Sequence, residues 1–279
     1  MNDDTTRRIV RPSPPAASPA ASPVSGLVAY GVSECGPVRK GNEDAFSYDL
    51  DTGLFVVADG MGGHAAGEIA SRLAVESILG YIARSADDDD LTWPFGMDAS
   101  LSHAANRLRT ALMLANQRVV RAAASHEDYH GMGTTVVAVL FTPSSLVVAH
   151  AGDSRVYQHA DGRLTALTRD DSLLAALGEA ALEAQEGLAQ HPLRNVVTNV
   201  LGGDERLEAH VSERGRTIGA RLLLCSDGVH GAIDDGHIER VLASAGDPRQ
   251  QAQRLVADAI AAGGRDNATA LVIVDEAGA

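Results

Sequence analysis

Residues 54–70 read Leu-Phe-Val-Val-Ala-Asp-Gly-Met-Gly-Gly-His-Ala-Ala-Gly-Glu-Ile-Ala, and this stretch decides the fold. The apolar residues 54–58 predict a buried strand that stops at Asp59. Glycines follow at positions 60, 62, 63 and 67, around the point where a helical pattern begins. Because glycine has no side chain, the backbone here can come close to a ligand that Asp59 binds. A carboxylate at the end of a buried strand can position a ligand rigidly. The alternative is a strand-turn-helix corner in which Asp59 caps the helix.

The same arrangement recurs along the chain, which favours a shared site. Apolar runs end at Asp153 and at Asp227, Asp266 stands just before the apolar run 270–274, and Glu43-Asp44 opens another strand-like segment. Isolated aspartates of this kind usually form turns, but five segments together predict one acidic pocket. Crowded carboxylates repel one another and lose hydration, so they need cations. Oxygen ligands without a cysteine or histidine cluster select hard ions such as magnesium or manganese.

Composition narrows the class of protein. The chain has 279 residues, a net charge of −14, and 45% hydrophobic but only 4% aromatic residues, so valine, leucine and alanine must fill the core. Negative charge argues against nucleic-acid binding, because a phosphate backbone would be repelled. No apolar run of about 18 residues predicts a membrane span, and the N-terminus lacks the apolar core of a signal peptide. We therefore expect a cytoplasmic protein with no membrane partner, and a monomer.

The order of elements predicts the fold class. Residues 1–25 hold five of the ten prolines, mixed with alanine and serine, and predict a disordered tail. In residues 26–279 the strands cluster instead of alternating with helices, which favours an α+β fold with antiparallel sheets. The predicted strands are 27–33, 43–48, 54–58, 134–141, 146–151, 156–159, 164–167, 207–211, 221–225 and 268–274. The predicted helices are 65–83, 100–124, most of 168–190, 234–245 and 248–262.

Six short blocks, in order, carry a resemblance to a known family. They are Arg39…Asn42-Glu43-Asp44, Asp59-Gly60-Met61-Gly62-Gly63-His64, Gly131-Met132-Gly133-Thr134-Thr135, Gly152-Asp153-Ser154-Arg155, Ser226-Asp227-Gly228 and Arg265-Asp266-Asn267. Together they resemble the bacterial metal-dependent serine/threonine protein phosphatases, the protein phosphatase 2C-like family. The resemblance implies a central antiparallel β-sandwich flanked by helix pairs on both sides, with a flap at about 168–195 beside the active site.

The resemblance also implies a ligand set for two Mn²⁺ or Mg²⁺ ions. Asp59, at the centre of the strongest block, would bridge both ions. Glu43 and the Gly60 carbonyl would complete one ion, and Asp227 and Asp266 the other. A weaker third ion would lie between Asp153 and Asp227.

Three further residues are candidates for the catalytic step. Arg39 stands where the family carries its phosphate-binding arginine, although a surface arginine is the alternative. Asp44 would accept a hydrogen bond from a metal-bound water. His64 would protonate the leaving serine oxygen, or else be a structural histidine near a helix start. The chain departs from the family at Asp171, where relatives often have histidine, and this change could alter substrate handling or third-ion binding.

The leading functional hypothesis is hydrolysis of phosphoserine and phosphothreonine in proteins by water that bridges two metal ions. The partners would be phosphorylated proteins, the products of a serine/threonine kinase. Two alternatives stay open. One is a non-catalytic regulator that binds phosphoprotein, and the other is a hydrolase for small phosphate esters. No Gly-x-x-x-x-Gly-Lys loop supports nucleotide binding.

Overall fold

The computed structural model describes residue 24 and residues 26–63, 66–85, 93–173 and 196–276. Almost all of the predicted tail lies outside this part of the chain, and so does most of the predicted flap. The boundary between tail and domain therefore stays a prediction, as does the helix expected in 168–190. No helix in the described ranges combines the length and the apolarity that crossing a bilayer requires.

The strands form two antiparallel sheets. In the first, the order is β1-β11-β10-β7-β8, and in the second it is β2-β3-β5-β6-β9, with β4 paired to β3. The strands of the first sheet are β1 (Leu27–Glu34), β7 (Arg155–Ala160), β8 (Arg163–Ala166), β10 (Arg221–Cys225) and β11 (Ala268–Asp275). Those of the second are β2 (Asp44–Asp49), β3 (Leu54–Met61), β4 (Gly133–Thr134), β5 (Val136–Phe141), β6 (Ser145–Ala151) and β9 (His210–Gly215).

Helices cover both outer faces of this sandwich. On the second sheet lie α1 (Ala66–Arg84) and α2 (His103–Ser125), and a short 3₁₀ turn (Glu127–Tyr129) follows α2. On the first sheet lie α4 (Asp235–Ala243) and α5 (Pro248–Ala261), after the single turn α3 (Asp227–His230). The α+β fold with two antiparallel sheets between helix pairs is therefore confirmed.

Alternation along β3 explains how three core layers form. Val56 points to the α1 and α2 layer, whereas Phe55 and Val57 point into the space between the two sheets. Such alternation is what a pleated strand buried on both faces produces. The strand is central in its sheet and almost fully buried, so the residues at its end are held rigidly.

Side-chain caps set the beginnings of three helices. Ser102, Asp234 and Asp247 each accept a hydrogen bond from the backbone N–H three residues later. The caps leave the capping residue outside the helix, which is why α4 begins one residue after the predicted start. Asp161 and Gly162 form the hairpin turn between β7 and β8, with φ of 52° and 74°, which is the conformation that an Asp-Gly pair favours.

Two strand predictions were wrong in their bounds. The third strand does not stop at Asp59 but continues to Met61, because the short β4 pairs with Gly60 and Met61. The strand predicted at 207–211 lies instead at His210–Gly215, where it pairs only with β6 at the edge of its sheet. Its residues are mostly exposed and polar, so the apolar pattern does not mark it.

Candidate active site

Carboxyl groups from both sheets gather around the half-buried side chain of Asp59. Asp59 lies in β3 directly opposite Asp44 in β2, and its carboxyl faces the charge of Asp227. Burial raises the pKa of Asp59 well above its usual range, and the charges of nearby carboxylates raise it further. Those carboxylates belong to Asp44, Asp227, Asp153 and Asp266. The predicted acidic pocket is thus present in the fold.

Asp44 joins the two sheets through hydroxyl groups. Its Oδ2 lies 2.7 Å from Ser226 Oγ, just after β10, and 2.6 Å from Thr269 Oγ1 in β11. Burial raises the pKa of Asp44 to about 6, although the two hydroxyls oppose this shift. Its other oxygen, Oδ1, is buried and accepts no hydrogen bond from any described residue.

Glycines allow Glu43 to approach the end of β3. A Cβ atom on Gly60 would lie 2.1 Å from the Gly67 carbonyl oxygen and 2.6 Å from that of Glu43. A Cβ on Gly67 would lie 2.5 Å from Glu43 Oε1. These separations are far below van der Waals contact, so only glycine fits at either position. Burial raises the pKa of Glu43, whose carboxylate is held against this glycine corner.

Asn267 fixes the loop that carries Glu43. Its Oδ1 accepts the Glu43 backbone N–H at 2.8 Å, and its Nδ2 donates to the carbonyl oxygens of Cys35 and Gly41. Asp266 is held by the backbone N–H of Asn267, not by its side chain, at 2.8 Å from Oδ1.

Arg39 reaches the same pocket from the loop after β1. Its Nη2 donates to Asp266 Oδ2 at 2.6 Å, and the guanidinium also faces the charges of Glu43 and Asp59. About half of the side chain, 47%, is exposed. The arginine thus brings a positive charge to the rim of the acidic cluster and keeps access to solvent.

Asp153 lies on the far side of the cluster, at one end of an open cavity. Burial raises the pKa of Asp153 to about 7, with further increases from the charges of Asp227 and Asp170. The cavity has a volume of about 740 Å³ and extends past Asp227 and Asp266 to Arg265. A space of this size can admit a small ligand beside the carboxylates.

The two threonines of the third sequence block support the end of β3. The Asp59 N–H donates to Thr135 Oγ1 at 3.2 Å, and Thr134 Oγ1 donates to the Asp59 carbonyl at 2.9 Å. Thr135 Oγ1 also lies 2.8 Å from Ser154 Oγ, next to Asp153. These bonds hold the Asp59 backbone and the Asp153 loop in fixed relation.

The donor set fits hard divalent ions. In the part of the chain that the structure describes, buried oxygens of three acidic residues have no hydrogen-bond partner: Glu43 Oε1, Asp44 Oδ1 and Asp227 Oδ1. Buried polar atoms of this kind are rare in folded proteins unless they bind an ion or water. Carboxylates with raised pKa values would be ionised by a nearby cation, and oxygen donors suit Mg²⁺ and Mn²⁺.

The fold gathers every candidate site residue that the structure describes. They are Arg39, Glu43, Asp44, Asp59, Gly60, Asp153, Asp227 and Asp266. His64 lies outside the described residues, so its role stays a prediction. The sequence reasoning missed Ser226 and Thr269 as partners of Asp44. A lone threonine in the apolar run of β11 was the only available signal for Thr269.

Comparison with known proteins places this site in a family. The sequence profile described as "Protein phosphatase 2C" matches residues 39–270. The serine/threonine protein phosphatase PstP of Mycobacterium tuberculosis is 36% identical over 240 residues, which cover 86% of this chain and 43% of that protein. The chain therefore spans less than half the length of this relative. A putative protein phosphatase 2C-type from Streptococcus pyogenes is 35% identical, with 87% of this chain and 95% of that protein covered.

Solved structures agree with the sequence matches. The catalytic domain of the serine/threonine protein phosphatase PstP, crystallised in complex with two manganese ions, superposes with a TM-score of 0.74 at 32% identity. The match covers 90% of this chain and 99% of that one. The layered fold accords with that structure, the profile matches most of the chain, and the chain belongs to the protein phosphatase 2C family.

Proposed function

We propose that this protein is a metal-dependent phosphatase that removes phosphate from phosphoserine and phosphothreonine in proteins. The observation that carries the proposal is the convergence of carboxylates around Asp59, with buried oxygens that have no hydrogen-bond partner among the described residues. Family membership and the names of the relatives, which are serine/threonine protein phosphatases, support the substrate class. They favour this reading over a small-ester hydrolase or a non-catalytic regulator.

We assign the metal ligands as the resemblance implied. Asp59 would contact two Mn²⁺ or Mg²⁺ ions, the Glu43 carboxylate and the Gly60 carbonyl would serve one of them, and Asp227 and Asp266 the other. Asp153 with Asp227 would hold a third ion. When bound, such ions act as Lewis acids that lower the pKa of water and offset the charge of the phosphate.

Residues of the chain supply substrate binding and proton handling. The guanidinium of Arg39 has five N–H donors, of which one is used on Asp266, so the others can hold a phosphate oxygen. The Asp44 carboxylate has its Oδ2 fixed by two hydroxyls and its Oδ1 free. Oδ1 is therefore the atom that would accept a proton from the attacking water. His64 remains our candidate for the acid that protonates the leaving oxygen.

The first test measures how phosphatase activity depends on the concentration of divalent metal ions. We expect the full chain to hydrolyse p-nitrophenyl phosphate and a phosphothreonine peptide with added Mn²⁺, and excess EDTA to remove the activity. Restoring Mn²⁺ should restore the rate, which separates metal loss from unfolding. Folded protein that stays inactive over a range of Mn²⁺ and Mg²⁺ concentrations would contradict the proposed function. Release of phosphate from nucleotides but not from the peptide would favour the small-ester alternative.

The role of Arg39 predicts an effect on substrate binding. Arg39→Ala should raise the KM for a phosphopeptide by about 10- to 100-fold, because a charge-assisted hydrogen bond contributes about 1.5–3 kcal/mol. Steady-state kinetics at saturating Mn²⁺ would measure it. Lys40→Ala is the matched control, since Lys40 is the exposed cation next in sequence. An Arg39→Ala enzyme with unchanged KM would rule out phosphate binding by this side chain.

Three further predictions extend the proposal. The phosphoproteins would be products of a serine/threonine kinase, the protein would act in the cytoplasm, and it would be a monomer. A comparison of phosphoproteomes with and without the gene would test the first. Cell fractionation and light scattering would test the other two.

A further inference from the structure

A second cluster of metal-ligating side chains includes one of the first residues of the flap, and none of its members is among the hard-ion ligands assigned above. It consists of His150, Asp171 and His210, and one donor atom from each lies within 4.8 Å of the others. We propose that this cluster binds a transition-metal dication of the Zn²⁺ class. The site would be separate in both position and chemistry from the acidic cluster around Asp59.

The fold places the two imidazoles side by side. His150 in β6 and His210 in β9 are direct partners in the antiparallel register. Their rings stack with centroids 4.9 Å apart and an angle of 29° between the planes. Two histidines paired across neighbouring strands present their nitrogens on one face of the sheet. A third donor from another segment would complete a facial set of ligands.

Asp171 supplies that donor from the segment after β8. Its Oδ1 lies 2.9 Å from His210 Nε2. A tetrahedral zinc ion with ordinary Zn–N and Zn–O bond lengths separates two such ligands by about 3.3 Å. The distance between Asp171 Oδ1 and His210 Nε2 therefore has to increase by only a few tenths of an ångström for an ion to replace the proton that the two atoms share.

The outer contacts of a metal site are already in place. His150 Nε2 lies 2.9 Å from the Arg169 carbonyl oxygen, so Nδ1 is the nitrogen left for an ion. Asp171 Oδ2 accepts hydrogen bonds from the Gly152 N–H at 3.0 Å and from Asn199 Nδ2 at 2.7 Å. Metal-binding imidazoles and carboxylates are usually oriented by such second contacts to carbonyls and amides.

The donor types decide which ion would bind. Two imidazole nitrogens and one carboxylate oxygen suit Zn²⁺ and its neighbours, whereas Mg²⁺ prefers oxygen ligands alone. Burial lowers the pKa of His150, so this imidazole is neutral at pH 7 and can bind a metal. The His210 side chain is 36% exposed, which gives an ion a route of entry.

An ion here would tie together segments that border the active site. The Asp171 backbone bonds to the Gly152 carbonyl and to the Thr198 N–H, at 2.9 and 2.7 Å. Gly152 immediately precedes Asp153 of the acidic cluster. Occupancy would thus fix the position of Asp171 relative to β6, β9 and the Asp153 loop.

Cobalt spectroscopy of the full chain would test the proposal. With the acidic cluster saturated by Mg²⁺, we expect one equivalent of Co²⁺ to give the intense visible absorption of a tetrahedral site with nitrogen ligands. Added Zn²⁺ should displace it. The variants His150→Gln, Asp171→Asn and His210→Gln should each weaken Co²⁺ binding at least about tenfold. His130→Gln, which changes an exposed histidine outside the cluster, should bind Co²⁺ as the original chain does.

Thermal unfolding gives a second measurement that does not depend on activity. In Mg²⁺ buffer, Zn²⁺ should raise the Tm of the original chain but not that of His210→Gln, because binding to the folded state alone stabilises it. His210 is partly exposed, so this variant is expected to fold. Absence of tetrahedral absorption in the original chain would overturn the proposal. If all three cluster variants bound Co²⁺ as tightly as the original chain, or if His130→Gln lost as much affinity as they do, the proposal would also be overturned.

Discussion

Replacing Asp59 by Asn lowers turnover by at least about 10³-fold, equal to about 4 kcal/mol of activation free energy. Asp59 is the residue around which the other carboxylates gather, and it is half-buried at the end of β3. Asparagine keeps the shape but removes the negative charge, so both assigned ions lose a shared ligand. The expected signature is a fall in kcat together with weaker dependence on Mn²⁺ concentration.

The measurement is kcat over a Mn²⁺ titration, with circular dichroism to verify folding. Asp128→Asn is a suitable control, because Asp128 is an exposed aspartate in the 3₁₀ turn and should leave kcat unchanged. In EDTA the Asp59→Asn protein should be at least as stable as the original, since one crowded carboxylate has been removed. Full activity of Asp59→Asn at saturating Mn²⁺ would contradict the assigned role.

The metal-free protein should lose stability as the pH rises from about 4 to above 7. The pKa values of Asp44 and Asp153 in the fold are raised to about 6 and about 7. Between the unfolded and folded pKa values the folded state holds protons that the unfolded chain has released, so stability falls with pH in that window. For Asp44 alone, a rise from 3.8 to about 6 corresponds to about 3 kcal/mol.

Urea unfolding in EDTA at several pH values would measure this loss. Saturating Mn²⁺ should remove most of it, because cations stabilise the ionised carboxylates. The Asp44→Asn variant should show a smaller fall in stability between pH 4 and pH 8 than the original chain. That difference separates the contribution of Asp44 to the pH dependence of stability from the contribution of histidines, which titrate in the same range. A free energy of unfolding that is flat or rises over this window would show that the cluster does not hold protons.

The acidic site was more predictable from sequence than its surroundings. Asp59, Asp153 and Asp227 follow apolar runs, and a carboxylate next to a buried strand is a local signal. The partners of Asp44 are not local, because Ser226 and Thr269 lie 182 and 225 residues away along the chain. Their contact depends on how the two sheets pack, which periodicity does not reveal.

The errors in strand bounds have the same origin. Strand β3 continues through Asp59 because Thr134 and Gly133 pair with its end, and this pairing joins segments more than 70 residues apart. The edge strand β9 carries polar residues because only one of its sides is paired. Local propensity decides whether a segment can be a strand, but the neighbouring strand decides where it ends.

The Asp44 carboxyl bonds to hydroxyls of the opposite sheet, and this has a consequence for engineering. The two sheets cannot shift relative to each other without breaking those hydrogen bonds. A substitution that weakens the packing between the sheets would therefore also displace Asp44 in the active site. Core substitutions far from any ligand would then register as lost activity before they register as lost solubility. Screens for improved variants should therefore measure the Tm together with the rate, so that a loss of stability is not mistaken for a change in the catalytic residues.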